Sequence, residues 1–186
     1  MQQHGIKFVK TKIPYVFTIF SCVPIFLFVY FVPVSADSQF YQELETFIDR
    51  NLFGRVGMWT SVFALPSKII TNYLCLVAPV FSLYFTWSTM KYSTFESADY
   101  PGSSKKLIVM LCSWVAMMMF FFYIFFVDAT NLASEGRRYG YFGGYRILYA
   151  LWSSAILYSV YGMTLASYII LRFFPAVIIH RLRLSK

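Results

Sequence analysis

The residues of this chain able to do covalent or metal chemistry are few and poorly placed for it. The three cysteines, Cys22, Cys75 and Cys112, all lie inside apolar stretches. A disulfide framework would place them in loops, so they read as small packing residues. His4 and His180 stand near opposite ends, with no cysteine or carboxylate at ligand spacing, and no metal site is expected. Ser113 and the Ser153-Ser154 pair have no histidine or lysine at the same depth to activate them. No HExxH, Walker loop or Gly-x-Ser-x-Gly occurs. The expectation is a protein that is not an enzyme and carries no cofactor.

What remains is chemistry of recognition. Asn72, Cys75, Pro79 and Ser82 recur at spacings of three, four and three, on one face of a helix, and Asn72 has an amide to offer a neighbouring helix. Ala155, Ser159, Gly162 and Ala166 form a small-residue stripe that lets another helix approach closely. Residues 128–146 interleave Arg137, Arg138, Tyr139, Tyr141 and Arg146 with Gly136, Gly140, Gly143 and Gly144. Arginine and tyrosine among glycines resemble single-stranded nucleic-acid binders. Between apolar stretches, the same residues suit lipid headgroups better, with tyrosine at the interface and arginine on phosphate, and no nucleic-acid partner is expected. The glycines are expected to keep this loop loose. These residues are the candidate partner-binding set.

The elements that must carry them are set by hydrophobicity. Leu107 to Val127 is twenty-one residues without a charge and with no polar stripe. As a helix it would be about 32 Å long, the thickness of a bilayer's hydrocarbon core. The whole chain is 59% hydrophobic, 22% aromatic and 13% charged, unlike an ordinary soluble domain. The reading is an all-α polytopic membrane protein, one domain, with four transmembrane helices in a bundle at about 13–34, 69–87, 107–127 and 147–171. The first stretch has a second reading, because Val34-Ser35-Ala36 resembles a signal-peptidase site. It is longer than a signal peptide's apolar region and crowded with aromatics, which favours a retained helix. In the 35–68 loop, Phe40, Leu44, Phe47, Ile48 and Leu52 recur at helical spacing opposite Glu43, Glu45, Asp49 and Arg50. That spacing predicts an amphipathic helix along the membrane surface, stopped near Gly54. Pro66 is expected to break the apolar run before the second span, and Pro175 to end or bend the fourth. Tyr84, Trp87 and Tyr92 mark an aromatic belt, and Met117-Met118-Met119 reads as lipid-facing filler.

Charge orients the spans. The two terminal segments and the 88–106 loop hold ten of the sixteen Lys and Arg residues, while 35–68 and 128–146 hold six. Six of the eight acidic residues fall on the latter side. The positive-inside bias places both termini in the cytoplasm, with 35–68 and 128–146 outside. No charged side chain sits in the middle of a span, which disfavours an ion-coupled carrier.

Ser67-Lys68-Ile69-Ile70 through Ala78-Pro79-Val80-Phe81-Ser82-Leu83-Tyr84, and Glu135-Gly136-Arg137-Arg138 before the aromatic fourth span and basic tail, give the chain a family resemblance. It resembles the immunity proteins that protect bacteria against pore-forming colicins, of the four-span type associated with colicin A. The Gly-rich 140–144 segment departs from the family. The resemblance implies residence in the bacterial inner membrane and binding, without catalysis, to the pore domain of one matching colicin within the bilayer. A small channel or transporter subunit, or a conjugation exclusion or assembly factor, is the alternative.

Overall fold

The helices begin and end where proline and polar residues dictate. The computed structural model describes residues 13–52, 60–91, 104–123, 127–128, 130–134 and 140–184, the last stretch beyond 172 by its backbone course alone. Helix α1 spans Tyr15–Phe31, with Pro14 at its N-cap position and the Thr18 hydroxyl donating to the Pro14 carbonyl at 2.9 Å. It stops because Val32 precedes Pro33, whose ring pushes the preceding residue out of the helical region; Val32 is extended, at φ −82° and ψ 133°. Helix α2 spans Gln39–Asn51, as the amphipathic spacing predicts. Helix α3 spans Ala64–Lys91, α4 Ser104–Phe122, α5 Gly140–Gly144 and α6 Arg146–Leu184. The described residues contain no strand, only an isolated bridge between Thr60 and Asn131.

Pro66 behaves differently from the expectation, and of the two outcomes expected at Pro175, an end or a bend, the end does not occur. Pro66 lies in the first turn of α3 instead of breaking the chain before it, because the first turn's N–H groups have no intrahelical acceptor to lose. Pro175 does not end α6, whose backbone continues to Leu184. A proline deletes one rung of the helical ladder, and the neighbouring rungs can carry the helix past it.

By length and composition, α3 and the Arg146–Arg172 part of α6 are apolar enough to cross a membrane. Tyr15–Phe31 and Ile108–Phe122 are shorter apolar helices. The core is built by three helices. From α1 come Cys22, Ile25 and Val29; from α3 come Ile70, Leu74, Ala78 and Phe85; from α6 come Tyr149, Ala150, Leu157 and Tyr161. The Phe85 and Tyr161 rings stack at 5.1 Å between centroids, and Phe17 lies over Tyr84 at 4.7 Å. Among the described residues, α4 packs against α6 alone. Its anchor is the Trp114 indole N–H, which donates to Ser167 Oγ at 3.0 Å, while Met119, Phe120 and Phe122 stay exposed.

Hydroxyls join the helices where prolines interrupt them. Pro24 has no N–H for the Phe20 carbonyl, and at the next carbonyl, that of Ser21, the Tyr73 hydroxyl of α3 donates at 2.8 Å. In α3, the Ser82 hydroxyl donates to the Pro79 carbonyl at 2.8 Å and receives Thr164 of α6 at 2.9 Å.

Candidate functional site

The candidate residues fall in three places. The first is α6, where the small-residue stripe does not meet the rest of the core. The side of α6 that packs on α1 and α3 carries Ala150, Ser153, Ser154, Leu157 and Tyr161, all buried. With a helical period of 3.6, Ala155, Ser159, Gly162 and Ala166 lie roughly 150° around the helix from that side. Ala155 and Gly162 are exposed, and Ser159 and Ala166 are half-buried. A Cβ added at Gly162 would meet nothing within 4 Å. Ser159 turns its hydroxyl back to the Ala155 carbonyl at 2.8 Å, so the stripe has no unpaired donor and is smooth and apolar. Among the described residues, a close-approach surface is left with no helix on it.

The second place is α3. Asn72 is buried, and its side-chain nitrogen donates to the Lys68 carbonyl one turn back at 2.8 Å. The expected face of Asn72, Cys75, Pro79 and Ser82 is packed in part. Asn72 and Ser82 are buried, Ser82 receiving Thr164 of α6, while Cys75 is half-buried and Pro79 exposed; the rest of the buried side runs through Ser67, Ile70, Thr71, Leu74, Ala78, Phe85 and Thr89. The centre of the interface is thus turned about a quarter of the circumference toward apolar and small hydroxyl residues, which let a neighbouring helix approach.

The third place is the loop end. Arg137, Arg138 and Tyr139 lie outside the described residues. Arg146 donates from Nη1 to the Tyr30 carbonyl at 3.0 Å, with its guanidinium 5.7 Å from the centre of the Phe63 ring. It thereby satisfies one of the last carbonyls of α1, at the negative end of that helix. Tyr141 is 71% exposed and Tyr145 60% exposed, the one on α5 and the other just after it.

At Gly143 this segment is held by close packing; Gly136 lies outside the described residues. Thr60 N–H donates to the Thr130 carbonyl at 3.2 Å, Leu132 N–H to the Thr60 carbonyl at 2.8 Å, and Val62 N–H to the Gly143 carbonyl at 3.2 Å. The two loops that sequence placed on one side are thus stitched together, with Leu132 wholly buried beneath them. A Cβ on Gly143 would come within 2.6 Å of the Leu132 carbonyl carbon and 2.7 Å of the Ala133 nitrogen. Close backbone approach, not flexibility, is what requires glycine there. Below this seam, Ser61 and Ser67 share a hydrogen bond of 2.7 Å, and Tyr149 reaches Ser67 and Ser153.

Sequence reasoning missed the ion pairs that hold α2. Lys68 Nζ lies 2.7 Å from Glu45 Oε1 and 2.9 Å from Asp49 Oδ1. The acidic side of α2 therefore faces the bundle beside Ile48, its one buried residue, while Phe40 and Phe47 are 68% and 52% exposed. The one signal for this in the chain is a lysine at the mouth of an apolar span, which needs a carboxylate near it.

No family model, no curated protein and no solved structure matches this chain.

Proposed function

We propose that the chain is a four-span resident of the bacterial inner membrane that captures a membrane-inserted helix of another protein, in the manner of an immunity protein against a pore-forming colicin. The observation that carries this reading is the open stripe of Ala155, Ser159, Gly162 and Ala166. In lipid, helices associate through close packing, and small residues allow the backbones to approach. A stripe of that kind left uncovered within the chain suits a helix from outside it. The spans are 13–34, 69–87, 107–127 and 147–171, with both termini cytoplasmic and α2 on the outer surface. The first span is retained, since Cys22, Ile25 and Val29 belong to the core and their removal would bare the sides of α3 and α6.

Inhibition then follows from differential affinity. A ligand that prefers a closed channel lowers the open population. Moving that equilibrium from mostly open to mostly closed takes roughly 5.5 kcal/mol of preference. Close packing along about three helical turns and contacts from the exposed Tyr141 and Tyr145 supply it.

The test is a strain expressing the chain, challenged with a panel of pore-forming colicins and one nuclease colicin. Protection against a single pore-former is expected. Gly162→Leu should abolish protection while the protein stays folded and in the membrane, because a Cβ at Gly162 meets nothing within 4 Å among the described residues. Sensitivity to every pore-former would overturn the reading, and ion flux through reconstituted vesicles would assign the chain to a channel instead.

A further inference from the structure

Beside the stripe, α1 and α6 diverge to leave a groove of about 810 Å³. Cys22, Phe26 and Tyr30 of α1 and Leu151, Ala155 and Tyr158 of α6 line it. We propose that this groove binds one acyl chain of an anionic phospholipid, whose phosphate rests on Arg146. The proposal rests on the chain's residence in a bilayer but not on any toxin.

Three observations point to this occupant. The first is polarity. Cys22 Sγ donates to the Tyr158 hydroxyl at 3.0 Å and Ser154 Oγ to the Ala150 carbonyl at 2.8 Å, so these polar groups of the lining are satisfied within the protein, and the Tyr30 hydroxyl lies at the exposed rim. The floor offers a guest nothing but apolar contact. The second is length. The lining runs along α1 from Ile19 to Phe31, about 18 Å at 1.5 Å per residue, close to the depth of one leaflet and not of the whole bilayer. The third is charge. The groove ends at Tyr30, where the Arg146 guanidinium bonds the Tyr30 carbonyl. A guanidinium has five N–H donors and that bond uses one, leaving donors at the headgroup level for phosphate. Tyr30 and Tyr145 are exposed at the same rim, as interfacial aromatics are.

Native mass spectrometry of the full chain in detergent, with dioleoylphosphatidylglycerol or dioleoylphosphatidylcholine added, tests this. One phosphatidylglycerol per chain should be retained, with about fivefold preference over phosphatidylcholine, the equivalent of ~1 kcal/mol for one basic residue. Arg146→Gln should erase the preference and Arg146→Lys keep it. Ala155→Phe, which fills the groove, should cut retention of both lipids by about tenfold, the scale of one or two buried methylenes. Val23→Phe, entering from α1, must do the same, and Gly162→Leu must leave retention unchanged. Equal retention by the groove-filling variants and the unaltered chain, or glycerol phosphate binding as tightly as the whole lipid, would overturn the site. A chain that stayed soluble without detergent would instead remove the membrane reading itself, whereas a detergent-dependent chain that held no lipid would remove only the groove.

Discussion

Gly143 and Gly162 show how one residue type serves two ends. At Gly143 a Cβ would press on the backbone of Leu132 and Ala133, which has no rotamer to give way. Gly143→Ala is therefore expected to destabilise the protein by about 1 to 3 kcal/mol. It should also loosen the seam between the two loops, seen as faster hydrogen exchange at Thr60, Val62 and Leu132. At Gly162 the same substitution meets open space and should leave stability within about 0.5 kcal/mol of the original, apart from any gain in helix propensity. Tyr73 is the residue-scale device of α1. Its hydroxyl reaches the Ser21 carbonyl beside the gap left by Pro24. Tyr73→Phe should cost about 1 kcal/mol, as interhelical hydrogen bonds in membranes do, measured by unfolding in mixed micelles.

Among the elements, α2 and α4 are the two held by few contacts, for different reasons. Helix α2 is attached mainly through Ile48 and the Lys68 pairs with Glu45 and Asp49. Those carboxylates are 40% and 47% exposed, so each pair contributes at most about 1 kcal/mol. Lys68→Gln should leave overall stability nearly unchanged yet free α2, raising the mobility of a spin label at residue 42. Salt near 1 M, where the screening length is about 3 Å, should reproduce part of that effect on the unaltered chain. Helix α4 is peripheral because it is uniformly apolar. In the four-span reading, lipid satisfies a ring of leucine, methionine and phenylalanine as well as protein does, and α4 is tied to α6 through Ser167, which receives the Trp114 indole and lies 3.8 Å from Met118 Sδ. Helices α3 and α6 pack centrally because hydroxyl and small residues such as Thr71, Ala78, Ser153 and Ser154 interrupt their apolar surface.

For the whole molecule, the loop seam constrains topology. Thr60 pairs with Thr130 and Leu132, and Leu65 N–H with the Val34 carbonyl, so the ends of α1 and the starts of α3 and α6 lie at one end of the bundle. In the four-span reading that end faces away from the cytoplasm. Cysteines introduced at Ser38 and Ser134 should then react with an impermeant maleimide added to whole cells. A cysteine at Lys91, at the far end of α3, should react only after permeabilisation, in a background where Cys22, Cys75 and Cys112 are serine or alanine. Opposite labelling of Ser38 and Ser134 would dismantle the arrangement.

Composition and periodicity alone determined the helical class, the approximate course of α1, α2, α3, α4 and the first two thirds of α6, and the amphipathic character of residues 39–51, but not the short α5. These are local properties: an apolar run must hydrogen-bond its own backbone, whatever surrounds it. The same local logic found the small-residue stripe, since spacings of three and four put Ala155, Ser159, Gly162 and Ala166 together on any helix. Only the tertiary structure decided that the stripe lies open, that α4 stands at the edge, and that Arg146 serves the end of α1. It alone centred the buried side of α3 on Ser67, Ile70, Thr71, Leu74, Ala78 and Phe85, with Asn72 and Ser82 at its margin and Pro79 exposed. Which side of a helix is covered depends on the partners that reach it. In a chain so apolar, several sides fit the periodicity equally well, and shape, hydroxyl pairing and two carboxylates on Lys68 break the tie.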